Sequence, residues 1–139
     1  NDQGVHFPLW GVCQGFHYMC MFTSSDPKNV VEKLTSFDVS LKCKFTVKQT
    51  ESKMFMDAES LKPFEEVDFA YNSHTWATDP AKFKTDEGLK KAFRLTSTNT
   101  DPRTNLSFSA TMEGIKYPFF STLFHFIPDE YTFRSIFWN

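Results

Sequence analysis

A thiol between two glycines, in Gly11-Val12-Cys13-Gln14-Gly15, is the feature of this sequence best suited to chemistry. A strained strand-to-helix bend of the form glycine, any residue, nucleophile, any residue, glycine presents a side chain while neighbouring backbone crowds in. At the start of the following helix, unpaired N–H groups and the dipole favour a thiolate, and the N–H of Gln14 would face a developing oxyanion. The plainer reading is a buried cysteine in a glycine turn, because free cysteine is among the most buried residue types. A thiol hydrolase also needs a base, and the chain has His6, His17, His74 and His125. His125 follows the apolar run 119–124 and is expected at a strand end, where α/β sheets collect reactive groups. His74, beside Asn72, Ser73 and Trp76, would either bind a polar substrate group or stack on Trp76 as an ordinary loop residue. His6 and His17 have no independent case, although His17 sits one helical turn after Cys13 and would influence its charge.

Several elements must position these groups. Residues 7–12 predict a short buried strand, followed by a tight turn and a short helix that Thr23-Ser24-Ser25-Asp26-Pro27 stops. Val39, Leu41, Cys43, Phe45 and Val47 alternate with Ser40, Lys42, Lys44 and Thr46, the cleanest strand pattern in the chain. Mixed helical material over 52–64 ends near Pro63, and Val67, Phe69 and Tyr71 predict a strand that runs out into a polar loop at Asn72-Ser73-His74. Leu89 and Phe93, four apart among Lys90, Lys91 and Arg94, predict a short amphipathic helix over 86–94, with Asp86 and Glu87 at the end the dipole prefers. Leu106, Phe108 and Ala110 alternate with serines, and 119–126 is apolar again, so two strands joined through 113–118 are expected. No repeat or low-complexity linker interrupts this order, which predicts one α/β unit over 1–139.

Composition narrows the function classes. A chain of 139 residues suits one domain, and 40% hydrophobic residues with 17 Phe, 4 Tyr and 3 Trp argue for a folded core over disorder. A net charge of −2 leaves no basic surplus for a phosphate backbone, so nucleic acid is not an expected partner. Apolar runs fall well short of the ~20 residues that cross a bilayer, and no membrane span is expected. Cys13, Cys20 and Cys43 are odd in number and lack the paired spacings of zinc sites, so neither a disulfide framework nor a metal is indicated. Asn105-Leu106-Ser107 is a glycosylation sequon, relevant to a chain that enters a secretory compartment. The opening Asn1-Asp2-Gln3-Gly4 has no basic-then-apolar leader, as in a mature product or a fragment.

Residues 7–16, Phe7-Pro8-Leu9-Trp10-Gly11-Val12-Cys13-Gln14-Gly15-Phe16, resemble the nucleophile segment of gamma-glutamyl hydrolases, in the class I glutamine amidotransferase-like superfamily. Further blocks agree in order: Asn72-Ser73-His74-Thr75-Trp76, then 95–101, then Ser109-Ala110-Thr111-Met112-Glu113-Gly114-Ile115-Lys116-Tyr117-Pro118, then Phe124-His125. The resemblance implies a flavodoxin-like three-layer α/β/α sandwich with a mostly parallel sheet. It also implies a Cys–His–Glu hydrolase that cleaves gamma-linked glutamates from folylpoly-gamma-glutamate through a thioester, with no metal or organic cofactor. Carried over, Cys13 is the nucleophile, His125 the base and then the acid, His74 a substrate-side residue and the Gln14 N–H an oxyanion donor. The lysosomal or secreted habit of such enzymes agrees with the sequon at Asn105.

Three departures stand out. The family places Pro and then Glu directly after the base histidine, whereas here Phe126-Ile127-Pro128-Asp129-Glu130 follows His125, so Asp129 or Glu130 would have to loop back as the orienting acid. Loss of such an orienter costs ~10⁴ in turnover where it has been measured. Position 17 carries His where the family carries Glu. Strands that related enzymes place ahead of the nucleophile are missing, so the sheet is expected to be incomplete on its N-terminal side and covered by a further segment or partner chain. An inactive homologue serving as a structural or binding subunit is therefore the rival expectation to an active peptidase.

Overall fold

The computed structural model describes residues 2–55 and 62–125, and the longest strand pairing among them is a hairpin of two nine-residue strands, β5 (Phe93–Asp101) and β6 (Leu106–Gly114), whose register shifts between Leu95 and Thr98. A short return through 115–118 brings β7 (Phe119–Thr122) back antiparallel to β6. Connections this short permit only antiparallel pairing, because a parallel crossover takes a dozen or more residues. On the other flank of β7, β1 (Leu9–Val12) pairs parallel to it, with Leu9 opposite Phe119 and Val12 opposite Thr122. The five-stranded order is β1-β7-β6-β5-β3, where β3 is the short strand Lys44–Phe45. A separate two-stranded antiparallel sheet joins β2 (Ser36–Leu41) to β4 (Ala70–His74). The expected α/β character holds, but the expected mostly parallel sheet does not. Among the described residues β1 and β7 form the one parallel pair between named strands, because the chain order of β5, β6 and β7 makes a meander.

Four helices complete the described elements: α1 (Gln14–Thr23), α2 (Lys62–Glu66), α3 (Lys82–Thr85) and α4 (Glu87–Ala92), with a single 3₁₀ turn at Gln49–Glu51. Phe16, Met19 and Cys20 on α1 meet Leu89, Phe93, Phe108, Met112 and Leu123 in the larger core. Asp86 holds two helix ends together. It accepts from the Leu89 N–H at 2.9 Å as the N-cap of α4, and from the Ser24 hydroxyl at 2.6 Å and the Ser25 N–H at 3.1 Å just beyond the end of α1. Burial works against its charge, but these hydrogen bonds win and hold the carboxyl well below the usual range.

Some local readings need correction. The alternation over 39–47 is not one strand: the chain leaves β2 at Leu41, the Lys42 carbonyl accepts from the Asn99 side chain at 2.7 Å, and β3 begins in the other sheet. Period 2 survives across the break because Leu41 at the end of β2 and Cys43 in the connection are buried and Phe45 in β3 is partly buried, all of one parity. Asn72, Ser73 and His74 lie inside β4 and not in a loop, with Asn72 and His74 buried against the partner strand. The buried strand expected over 7–12 is observed as Leu9–Val12, of which only Gly11 is buried; Leu9, Trp10 and Val12 are 42%, 48% and 39% exposed. Much of the helical material expected over 52–64 lies outside the described residues, and Pro63 falls within α2.

Candidate functional site

Cys13 stands between β1 and α1 as the N-cap of the helix, with φ 51° and ψ −103°. A non-glycine residue with positive φ is strained, and here the strain sits where the chain passes from β1 directly into α1. Three bonds fix the bend. The Cys13 N–H donates to the Thr122 carbonyl at 2.8 Å, and the Cys13 carbonyl accepts from the N–H groups of Phe16 at 2.9 Å and His17 at 3.4 Å. Gly11 is required by close approach: a Cβ there would lie 2.9 Å from the Ser121 hydroxyl and 3.0 Å from the Gly15 carbonyl carbon. The Ser121 hydroxyl in turn donates to the Gly11 carbonyl at 2.7 Å, locking β1 onto β7 beside the thiol.

The thiol is half-buried. Burial pushes its pKa up, and the Gln14 backbone N–H beside the sulfur works against that shift. The Gln14 side chain is turned away, donating to the Tyr18 hydroxyl at 2.8 Å. Cys20 and Cys43 are deeper in the molecule, and burial drives their thiols to about 12 and about 11.

Parallel pairing of β1 and β7 brings the carboxyl ends of both strands to one end of the sheet. Cys13 directly follows β1, and His125 comes three residues after Thr122, the last residue of β7. His125 is partly exposed and anchored by its backbone N–H to the Tyr71 carbonyl at 2.9 Å, with its ring edge-on to Tyr71 at 6.4 Å. Asp129 and Glu130, the expected orienting acids, lie outside the described residues.

His74 lies 5% exposed in β4, and its ring meets Phe108 edge-to-face at 4.7 Å, not Trp76. Neither ring nitrogen has a hydrogen-bond partner among the described residues. Burial above all, with the charges of His17 and His125, lowers its pKa to about 4 against the opposing effect of the nearby backbone of Leu34 and Trp76. His17, noted in the sequence only for its place one helical turn after Cys13, belongs to this cluster: among the described residues its Nε2 is buried without a hydrogen-bond partner, and burial lowers its pKa while the Trp76 backbone opposes the fall. That spacing tied it to the thiol and gave no sign of His74. No group of three or more His, Cys, Asp or Glu side chains suited to a metal occurs among the described residues.

A mixed α/β sheet presenting a cysteine at a strained strand-to-helix bend, with three histidines gathered at the same end, defines a class of thiol-bearing α/β domains. Comparison with known proteins makes this specific: the chain is 33% identical over 126 residues to gamma-glutamyl hydrolase from Homo sapiens and likewise 33% identical to that from Mus musculus, each match covering 89% of this chain. Gamma-glutamyl hydrolase 1 from Arabidopsis thaliana is 25% identical over 137 residues, or 96% of the chain. Over 89% of its length the chain is a homologue of the gamma-glutamyl hydrolases. It spans 38% of the length of these relatives. No protein-family model matches it.

Proposed function

We propose that this chain is the nucleophile-bearing part of a gamma-glutamyl hydrolase-type cysteine peptidase, acting on gamma-glutamyl bonds of folylpoly-gamma-glutamate through a Cys13 thioester. The observation that supports it above all is the strained bend at Cys13, tied by its own N–H to the strand that leads to His125. In the proposed reaction His125 removes the thiol proton, and the sulfur attacks the gamma-carbonyl carbon. The Gln14 N–H faces the tetrahedral oxyanion. Collapse breaks the C–N bond, and His125 returns the proton to the departing amine. Water, deprotonated by His125, then cleaves the thioester to release the gamma-carboxylate and restore the thiol. His74 serves the substrate side, and Glu130, or Asp129 in its place, orients His125. No cofactor enters these steps.

Relatives more than twice as long as this chain support a further part of the reading: a covering segment or partner chain packs against β1 and α1, where Leu9, Val12, Tyr18, Met21 and Phe22 are exposed, Phe22 by 84%. The single parallel pair then belongs to a larger flavodoxin-like sandwich. The family resemblance and the sequon together favour a lysosomal or secreted location. No helix among the described residues is long and apolar enough to cross a membrane.

The test is release of glutamate from folylpoly-gamma-glutamate by the native protein and its Cys13→Ala variant, with intact-mass detection of the acyl adduct. Loss of both adduct and turnover with the fold retained is the expected result. Unchanged turnover in Cys13→Ala ends the mechanism. A second reading, an inactive homologue used as a binding or structural subunit, is favoured by the burial that raises the Cys13 thiol and by His17 in place of the family's Glu. A native protein that forms no adduct from substrate would select it.

A further inference from the structure

We propose that Asn105 is an N-glycan acceptor. Asn105-Leu106-Ser107 is the one sequon in the 139 residues, and its middle residue is not proline, so the triplet can extend into an acceptor site. The fold places it at the tip of the β5–β6 hairpin, where residues 102–107 are all exposed. Asn105 has φ 56°, a left-handed conformation that asparagine adopts several times more readily than most residues.

The turn does not depend on the side chain that would carry the sugar. The Asn105 backbone N–H donates to the Asp101 carbonyl at 2.8 Å, and the Thr104 N–H donates to the same carbonyl at 3.3 Å. The Asp101 carboxylate closes the other side, accepting from the Arg103 N–H at 2.8 Å and from the Arg103 guanidinium at 2.6 Å. No hydrogen bond among the described residues uses the Asn105 side-chain amide, so attachment at its nitrogen breaks nothing and points the glycan into solvent. The Ser107 hydroxyl, which completes the triplet, lies on the exposed face 2.7 Å from the Thr100 hydroxyl. No buried group is displaced in forming the glycosidic linkage.

This inference rests on the lysosomal or secreted reading and is independent of the thiol chemistry. Its test is glycopeptide analysis of the protein from its own cells, using peptide N-glycosidase in ¹⁸O-water. Conversion of Asn105 to ¹⁸O-labelled aspartate, abolished by Ser107→Ala with an unchanged circular dichroism spectrum, is expected. Recovery of unmodified Asn105 throughout, or confinement of the chain to the cytosolic fraction, overturns it. Either result leaves the assay of Cys13→Ala unaffected, so the two readings fail separately.

Discussion

The Cys13 N–H and the Thr122 carbonyl, 2.8 Å apart, join the strained bend to the end of the strand that delivers His125. The bond extends the β1–β7 ladder by one step, past the point where β1 ends at Val12. It places the thiol by backbone alone, so the position of Cys13 is set by the sheet and not by the chemistry of its side chain. Substitutions of the sulfur therefore leave the bend intact.

Reactivity of the three thiols will differ sharply. Cys13 is half-buried and raised by burial, whereas Cys20 and Cys43 are deeper and shifted to about 12 and about 11. Because the thiolate is the reactive form, iodoacetamide at neutral pH is expected to label Cys13 slowly, and Cys20 and Cys43 not at all until denaturant is added. Peptide mapping after timed alkylation checks this. The Cys13 rate is expected to keep climbing with pH beyond the range where an ordinary thiol levels off.

Gly11→Ala pushes a methyl group against the Ser121 hydroxyl and the Gly15 backbone, and overpacking of this kind costs about 1–3 kcal/mol. Gly88→Ala is expected to cost more. Its Cβ meets the Thr23 carbonyl oxygen, a backbone atom that cannot rotate away, where α4 crosses the end of α1. Urea midpoints of the two variants give the order directly.

Acid will weaken the fold through His74. Its pKa is lower in the folded chain, about 4 against 6.5, so between these values the unfolded chain binds more protons and stability falls as pH falls. The loss starts below about 6.5, is complete near 4, and amounts to on the order of 3 kcal/mol. His74→Gln is expected to flatten urea midpoints measured between pH 7 and pH 4, and an unchanged slope would place the titration elsewhere.

Arg103→Ala removes both guanidinium bonds to the Asp101 carboxylate, which is only 1% exposed. The Ser36 hydroxyl and the Arg103 backbone N–H continue to donate to it, so a lowered melting temperature with the fold retained is expected. Thermal unfolding of the variant measures it.

The bend at Cys13 was legible because its signal is local, a thiol, two glycines and an apolar run on either side, although the bonds to Thr122 and Ser121 that fix it are not. The short helix expected over 86–94 was legible for the same reason, as Glu87–Ala92 with Asp86 as its cap, although Phe93 and Arg94 turn out to open β5. β5 was not, since Thr96, Ser97, Asn99 and Asp101 are polar and yet buried. Thr96 and Ser97 tolerate burial because both hydroxyls pair across the ladder with that of Thr111 at 2.6 Å each, Asn99 donates to the Lys42 carbonyl and Asp101 accepts from Arg103 and Ser36, and no pattern of hydrophobicity records such pairs. The approach of His17 to His74 was hidden as well. It depends on β4 taking its register from β2 and on where α1 crosses the sheet, both of which are long-range choices.

The ten residues of α1 span about 15 Å, with Cys13 at one end and the Asp86 carboxylate gripping the chain just past the other. A helix pinned at both extremities is a strut, held at the thiol end by the sheet and at the other by the Asp86 carboxylate, so the two grips share the work of seating it.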